Sequence, residues 1–224
     1  MDGRGFRNGS DPGQPGGCSP GEIIRLPGVM MKRKREVIQY MKEIRTGRLL
    51  LRPFRETDYD DLFEFLSQLE NDEFEGYPGI TYENGREHLK YRVGSEEFYA
   101  VELAETGKVI GNVYCENRPY EAREVGYIIN KNRRRKGYAG EALPAVIRNA
   151  FRDGAHRVYA ECDPRNKRSW KLLEKLGLRR EAHFRQNLYF HRNADGSPVW
   201  KDTYVYAMIG SDISRDSNRA EISG

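Results

Sequence analysis

The sequence predicts an α/β or α+β fold built on a mixed β-sheet. Three observations predict it. Strand-like and helix-like segments alternate in the order β α α β β β α β α β β. Three of the helix-like segments carry an apolar stripe of the kind that packs on a sheet. A basic, glycine-containing turn, Asn132-Arg133-Arg134-Arg135-Lys136-Gly137-Tyr138-Ala139, links a strand-like run to a helix-like one.

The elements follow in order. Leu49-Leu50-Leu51 centres a strand from Arg48 to Phe54. Thr57 is placed to cap a helix over residues 58–69, with Asp58, Asp60 and Asp61 in a first turn that favours negative charge. Leu62, Phe63, Leu66 and Leu69 recur at helical spacing and are expected in the core. An acidic loop, Glu70 to Gly79, precedes a short helix near residues 83–92. Strands follow at residues 98–103, 109–115 and 124–130, the first two joined by the hairpin turn Glu105-Thr106-Gly107-Lys108. The helix after the basic turn aligns Ala139, Leu143, Val146, Ile147 and Ala150, and Gly154 ends it. Pro144 lies inside it. An interior proline costs about 3 kcal/mol unless compensated, so a bend is expected there. Residues 156–161 read as a strand. Residues 166–176 read as a helix with Ser169, Leu172, Leu173 and Leu176 on one side and Gly177 at its end. Strands at 178–189 and 200–209 close the chain around the polar turn Asn193-Ala194-Asp195-Gly196-Ser197-Pro198.

The composition suits one well-buried domain with polar tails: 224 residues, 38% hydrophobic and 32% charged. The first 30 or so residues are rich in Gly, Pro, Ser and Asp and lack periodicity, so they bury too little apolar surface to offset ordering entropy. Residues 1–35 are therefore expected to be a disordered or non-native extension, and Met30-Met31 offers an alternative translational start. Residues 36–210 are expected to form the domain and 211–224 a flexible tail. No apolar run approaches the roughly 20 residues that span a bilayer, and no signal-peptide core is present. Cys18, Cys115 and Cys162 are scattered, which argues against a disulfide framework and a cysteine zinc site and fits a reducing, cytoplasmic setting. The net charge of +4 is too mild to imply nucleic acid, although Lys32–Arg35 and Lys131–Lys136 concentrate basic charge. His88, His183 and His191 show no ligand spacing, so no metal is expected. His156 and Cys162 stand about 20 Å apart on one strand at ~3.3 Å per residue, too far for a nucleophile pair.

The basic turn is the strongest chemical signal. A helix N-terminus presents unpaired N–H groups and a favourable dipole to an anion, and Gly137 lets backbone approach it closely. It is not a nucleotide-hydrolase P-loop, because Gly-x-x-x-x-Gly-Lys-Ser/Thr is missing, nor a Rossmann fingerprint, because one glycine alone fits.

Read as Arg134-x-x-Gly137-x-Ala139, the turn resembles the pyrophosphate-binding signature of the GNAT superfamily of acetyl-CoA-dependent N-acetyltransferases. Thr46-Gly47-Arg48-Leu49-Leu50-Leu51-Arg52-Pro53, Glu124-Val125-Gly126-Tyr127-Ile128-Ile129, and Asn166-x-x-Ser169 followed by Leu172 to Leu178 are similar to the RimJ/RimL-like branch, which acetylates α-amino groups of ribosomal proteins. The resemblance covers about residues 45–209. It implies a mixed, mostly antiparallel sheet with helices on both faces and splayed central strands. It also implies metal-free acetyl-CoA as cosubstrate, held by Ile128, Arg133, Arg134, Arg135, Lys136, Gly137, Tyr138, Ala139, Asn166 and Ser169. Two departures stand out: Arg135 where relatives often have Gly, and Leu173 where many carry a tyrosine proposed to protonate the CoA thiolate.

Glu124 is the candidate general base, since an acceptor ammonium must lose a proton before it attacks the thioester. Its alternative role is a carboxylate paired with Arg123 or Lys131. The resemblance places Asn166 on the pantetheine arm and Ser169 near the sulfur as a candidate proton relay; the structural alternatives are helix capping by Asn166 and an ordinary small polar face at Ser169. An N–H near Tyr127 or Ile128 would stabilise the oxyanion. Tyr127 and Tyr138 are read as packing residues, Tyr127 against the acceptor. The loop residues Asp72, Glu73, Phe74, Glu75 and Tyr77 would draw in and pack a cationic acceptor, with Asp195 of the late hairpin nearby. The expected acceptor is an amine: a protein N-terminus, a polyamine or an aminoglycoside. The rival is a non-catalytic CoA-fold or RNA-associated binding module. No membrane partner is expected, and the protein would be a monomer or homodimer.

Overall fold

The computed structural model describes residues 42–70, 72–75 and 79–212. The expectations for residues 1–35 and Tyr77, and all but the first two residues of the expected tail, lie outside them. The order is β1 (Ile44–Arg45), β2 (Leu49–Pro53), α1 (Tyr59–Ser67), α2 (Gly85–Val93), β3 (Phe98–Leu103), β4 (Val109–Arg118), β5 (Ala122–Ile129), α3 (Tyr138–Arg152), β6 (Arg157–Cys162), α4 (Lys167–Lys175), β7 (Arg179–Arg192) and β8 (Pro198–Ile209). The strands form one open sheet in the order β1-β2-β3-β4-β5-β6-β8-β7. Every neighbouring pair is antiparallel except β5–β6. This is the mixed sheet that the element order predicts, mostly antiparallel as the family resemblance implies, with the two-residue β1 added at its edge.

Each sheet face buries its own cluster. Leu49, Leu51, Val101, Ile110, Val113, Val125 and Val158 pack against Leu143, Val146 and Ile147 of α3 and Leu173 of α4. Ala100, Val109 and Ile128 pack on the other face against α1 and α2. A fully buried Leu, Val or Ile contributes about 1.5–3 kcal/mol, so these faces hold the helices in place.

Two local expectations change. The buried α1 stripe is Leu62, Phe65, Leu66 and Leu69, a regular i, i+3, i+4, i+7 row, while Phe63 is half-buried and packs on Tyr59 and Tyr82. Thr57 does not cap the helix. A 3-10 turn, Glu56–Asp58, precedes α1. The Asp58 carboxylate accepts the Arg55 N–H at 2.7 Å and pairs both oxygens with buried Arg52 at 2.7 and 2.9 Å. The helix α3 runs through Pro144, which lines an open groove with Gly140. Water can therefore reach the Gly140 carbonyl that the missing Pro144 N–H leaves unpaired.

Candidate active site

The site begins where two strands part. β5 and β6 pair only from Ala122 to Glu124 against Arg157 to Tyr159, while β6 stays with β8 along its whole length. The Asn130 N–H donates to the Ile110 carbonyl at 2.8 Å. Alternation in an antiparallel ladder then turns the even residues of β5 to β4 and the odd ones to the gap. The N–H of Tyr127 faces the gap, whereas that of Ile128 belongs to the β4 ladder. Of the two expected oxyanion donors, the geometry favours Tyr127.

The basic turn stands at the end of that gap. After a 3-10 turn at Lys131–Arg133, the chain passes Arg135 at φ +64° and Gly137 at φ +82°, and α3 starts at Tyr138. The N–H groups of Arg135, Lys136 and Gly137 find no acceptor among the described residues. Those of Tyr138, Ala139 and Gly140 are the free ends of the first helical turn. Arg48 braces the turn from outside. It donates to the Lys136 carbonyl at 3.0 Å, binds Glu141 through its backbone N–H and Nε at 2.7 Å each, and lies 4.7 Å from the Tyr138 ring centre. This cradle fits a pyrophosphate: free donors, no carboxylate inside the turn itself, and a left-handed glycine where the backbone must come close.

A cleft of about 780 Å³ runs from the turn, lined by Ile128, Arg133, Arg134, Arg135, Gly137, Tyr138, Ala139, Asn166 and Ser169 among others. Lys136 does not line it, because its backbone is drawn outward to Arg48. Arg134 is tethered by its Nε to the Ile129 carbonyl at 3.0 Å. Asp72 faces this cationic end, 3.5 Å from Lys131 and 3.9 Å from Arg134.

An inner cavity of about 380 Å³ meets the cleft. Phe74, Glu75, Tyr127, Ile128, Asn166 and Ser169 line both spaces. At this junction Asn166 caps α4, its Oδ1 accepting the Ser169 N–H at 3.2 Å. The Ser169 side chain lies close enough to the Tyr127 phenol and the Cys162 thiol to favour the ionised form of each. Burial pushes the Cys162 thiol up to about 11, so it stays protonated. Leu173, at the position of the absent tyrosine, is buried in the core. Tyr127 of β5 brings a phenol to the junction beside Ser169 instead.

Glu124 also lines the inner cavity, but its partner is neither Arg123 nor Lys131. Across the β4–β5 hairpin, Arg118 donates to Glu124 Oε2 at 2.9 and 2.6 Å, and the Tyr159 hydroxyl donates to the same oxygen at 3.0 Å. The lining is strongly acidic: Glu75, Glu116, Glu124, Glu161, Asp163 and Asp202 face a single lysine, Lys201. Lys201 is buried, donates to the Glu73 carbonyl and lies 3.5 Å from Asp163. Burial and then the nearby Glu124 charge raise the Glu161 carboxyl. Burial, then Asp72, raises Glu75 to about 7 against the pull of Arg134. Phe74 lies under Arg165, 6.0 Å from its guanidinium carbon. Asp195 is instead held in the hairpin turn by Ser197.

Several of these residues had no signal in the sequence. Arg48 and Lys201 acquire their roles from partners far along the chain, Arg118 from the β4–β5 register and Glu161 from its place in the cavity lining. Asn112 carries one faint signal, an amide in the apolar run Val109 to Val113. It is fully buried, faces the inner cavity, and neither Nδ2 nor Oδ1 finds a partner among the described residues. Beside it the Tyr114 ring lies on Gly126, where any Cβ would come within 2.3 Å of the ring. Among the described residues, no group of three or more His, Cys, Asp or Glu could hold a metal ion, and no helix is long and apolar enough to cross a membrane.

Comparison with known proteins agrees with this geometry. Residues 48–179 match the family model of the acetyltransferase (GNAT) domain. An uncharacterized N-acetyltransferase, YnaD, from Bacillus subtilis (strain 168) is 30% identical over 172 residues, covering 74% of this chain and 96% of the relative. The [ribosomal protein uS5]-alanine N-acetyltransferase of Escherichia coli (strain K12) is 29% identical over 181 residues, covering 75% and 90%. The crystal structure of a GNAT-family acetyltransferase from Bacillus anthracis superposes with a TM-score of 0.67 at 28% identity, covering 75% of this chain and 98% of that one. With the splayed strands, the open basic turn and the match over most of the domain in agreement, the chain belongs to the GNAT family and is an acetyl-CoA-dependent acetyltransferase.

Proposed function

We propose that the protein transfers the acetyl group of acetyl-CoA to a cationic primary amine that enters through the acidic inner cavity. One observation carries this: the cleft that runs from the basic turn and a cavity lined by six carboxylates against one lysine share the six residues of their junction. An ammonium group is drawn to such a lining, and the thioester would lie at the junction. The acceptor nitrogen attacks the acetyl carbonyl directly. The Tyr127 N–H receives the developing oxyanion, and the Tyr127–Ser169 hydroxyl pair passes a proton to the departing sulfur. Arg133, Arg134, Arg135 and the turn amides hold the pyrophosphate, with Asn166 beside the pantetheine arm. Glu73 and Phe74 close the loop over the cavity.

The acceptor classes this admits are the N-terminus of a protein with basic neighbours, a polyamine or an aminoglycoside. The test is acetyl transfer across a panel of these amines, with neutral and acidic amines beside them, read by mass spectrometry. Transfer is expected to the cationic members. A best acceptor that is neutral or acidic overall would overturn the substrate class.

A further inference from the structure

We propose that Glu75, rather than Glu124, is the general base that takes the proton from the acceptor ammonium. The inference rests on the acetyl-transfer reading and adds the residue that starts the chemistry. Two carboxylates are close enough to the junction to compete. Glu124 is held by two guanidinium hydrogen bonds and a phenol on one oxygen. These three donors occupy Oε2 and tie the carboxylate to β4 and β6, away from the junction. It also lines the inner cavity alone, not the cleft. Glu75 differs on every count. It lines both spaces, so its side chain stands where the acceptor nitrogen must meet the acetyl carbon. It makes no hydrogen bond or ion pair among the described residues. It is half-buried, and its carboxyl is raised to about 7, matched to proton transfer at neutral pH.

The charged and titratable groups facing Glu75 are few: Asp72 from its own loop, Arg134 from the basic turn, Tyr114 from β4 and Tyr127 from β5. Arg134 alone favours the ionised form. Asp72 opposes it, and both phenols are themselves raised by burial and stay neutral.

The step balances. The Glu75 carboxylate takes one proton from R–NH₃⁺, and the freed lone pair forms the C–N bond. The C–S bond breaks and its electron pair leaves on sulfur. A second nitrogen proton reaches that sulfur through the Tyr127–Ser169 hydroxyls. The third remains as the amide N–H, and Glu75 releases its proton to solvent.

Three variants test the proposal. With the best acceptor, wild type should gain rate about tenfold per pH unit up to about 7 and then level. Glu75→Gln should lose 10²–10⁴-fold in kcat together with that limb, while its Kd for acetyl-CoA, measured by calorimetry, stays within about twofold. Glu75→Asp should restore part of the rate and all of the limb. Glu124→Gln should keep the limb whatever its effect on KM. A limb that survives in Glu75→Gln, or disappears in Glu124→Gln, overturns the proposal.

A second readout needs no acceptor. A carboxyl protonated up to pH 7 in the fold but ionised above about 4.5 when unfolded lowers native stability as pH rises between those values. Glu75→Gln lacks that loss, so its Tm advantage over wild type should grow from pH 4.5 to 7 and then stay constant. A Tm difference independent of pH would overturn the proposal. Wild type that binds acetyl-CoA, shows this Tm behaviour and acetylates no amine would instead overturn the functional reading.

Discussion

Asn112 is the residue whose burial packing alone does not explain. Its strand neighbours Ile110 and Val113 are buried apolar side chains, and its register partners Ala100 and Ile128 are apolar too. A buried amide with neither atom paired costs about 1–3 kcal/mol. It fits a residue reserved for a substrate group that offers both a donor and an acceptor, such as a hydroxyl or a peptide unit. Asn112→Leu, close in volume, should therefore raise stability by about 1 kcal/mol, or some 2–4 °C in Tm. It should also lower acceptor kcat/KM about tenfold with acetyl-CoA affinity unchanged, because a site built to hydrogen-bond a substrate loses that discrimination with the amide. A less stable variant with full activity would show the amide to be structural. At this scale the sequence was only half legible. Ser169, Asn166 and Gly137 were read from a motif with fixed spacing. The Arg118 grip on Glu124 was not, because a carboxylate's partner depends on which strand lies beside it, and sequence distance carries no trace of that.

The turn before α3 shows how an element is made by its backbone. Arg135 and Gly137 both sit at positive φ, flanking Lys136, so the amides from Arg135 to Gly140 are turned out of the ladder and off the helix. Gly137 tolerates this without cost. A β-branched residue there costs roughly 1–2 kcal/mol in backbone strain, and its Cβ would stand 3.3 Å from the Arg48 guanidinium. Gly137→Val should weaken acetyl-CoA binding about 10-fold or more by calorimetry while leaving the far-ultraviolet spectrum intact, since the turn lies outside both core clusters. Affinity equal to wild type would mean that the turn does not hold the pyrophosphate. Element order was legible because hydrophobic period and turn residues are local. The α1 face was misplaced at Phe63 because one aromatic more or less on a stripe shifts it by a single position. The parting of β5 from β6 was legible only through family resemblance: the segments that diverge, Val125 to Ile129 and Ala160 to Cys162, look like any other strands.

Over the whole molecule, charge is divided between two substrates. The net charge of +4 conceals a cationic cleft and an anionic cavity that meet at one junction. Asp72 and Glu161 stand on opposite sides of that division, although sequence position alone would send the acidic loop to the acceptor. Asp72 lies among the cations of the phosphate end, where its charge competes with a pyrophosphate. Glu161 lines the acceptor cavity with no ion pair among the described residues. Their neutral variants should therefore act on different constants. Asp72→Asn should tighten acetyl-CoA about 2–5-fold, a modest effect because its pairs with the half-exposed Lys131 and Arg134 are long, at 3.5 and 3.9 Å, with acceptor KM unmoved. Glu161→Gln should raise KM for a cationic acceptor about 3–10-fold at low salt and leave acetyl-CoA affinity alone. Because burial and the Glu124 charge raise the Glu161 carboxyl, the comparison is made on the alkaline side, at pH 8, which favours its ionised form. The Debye length falls from about 30 Å at 0.01 M salt to about 8 Å at 0.15 M, so a steering effect must shrink over that range while a contact effect must not. Steady-state kinetics at both salts separate the two. If Asp72→Asn raises acceptor KM and Glu161→Gln does not, the acidic loop is the acceptor's guide and the charge division drawn here is reversed.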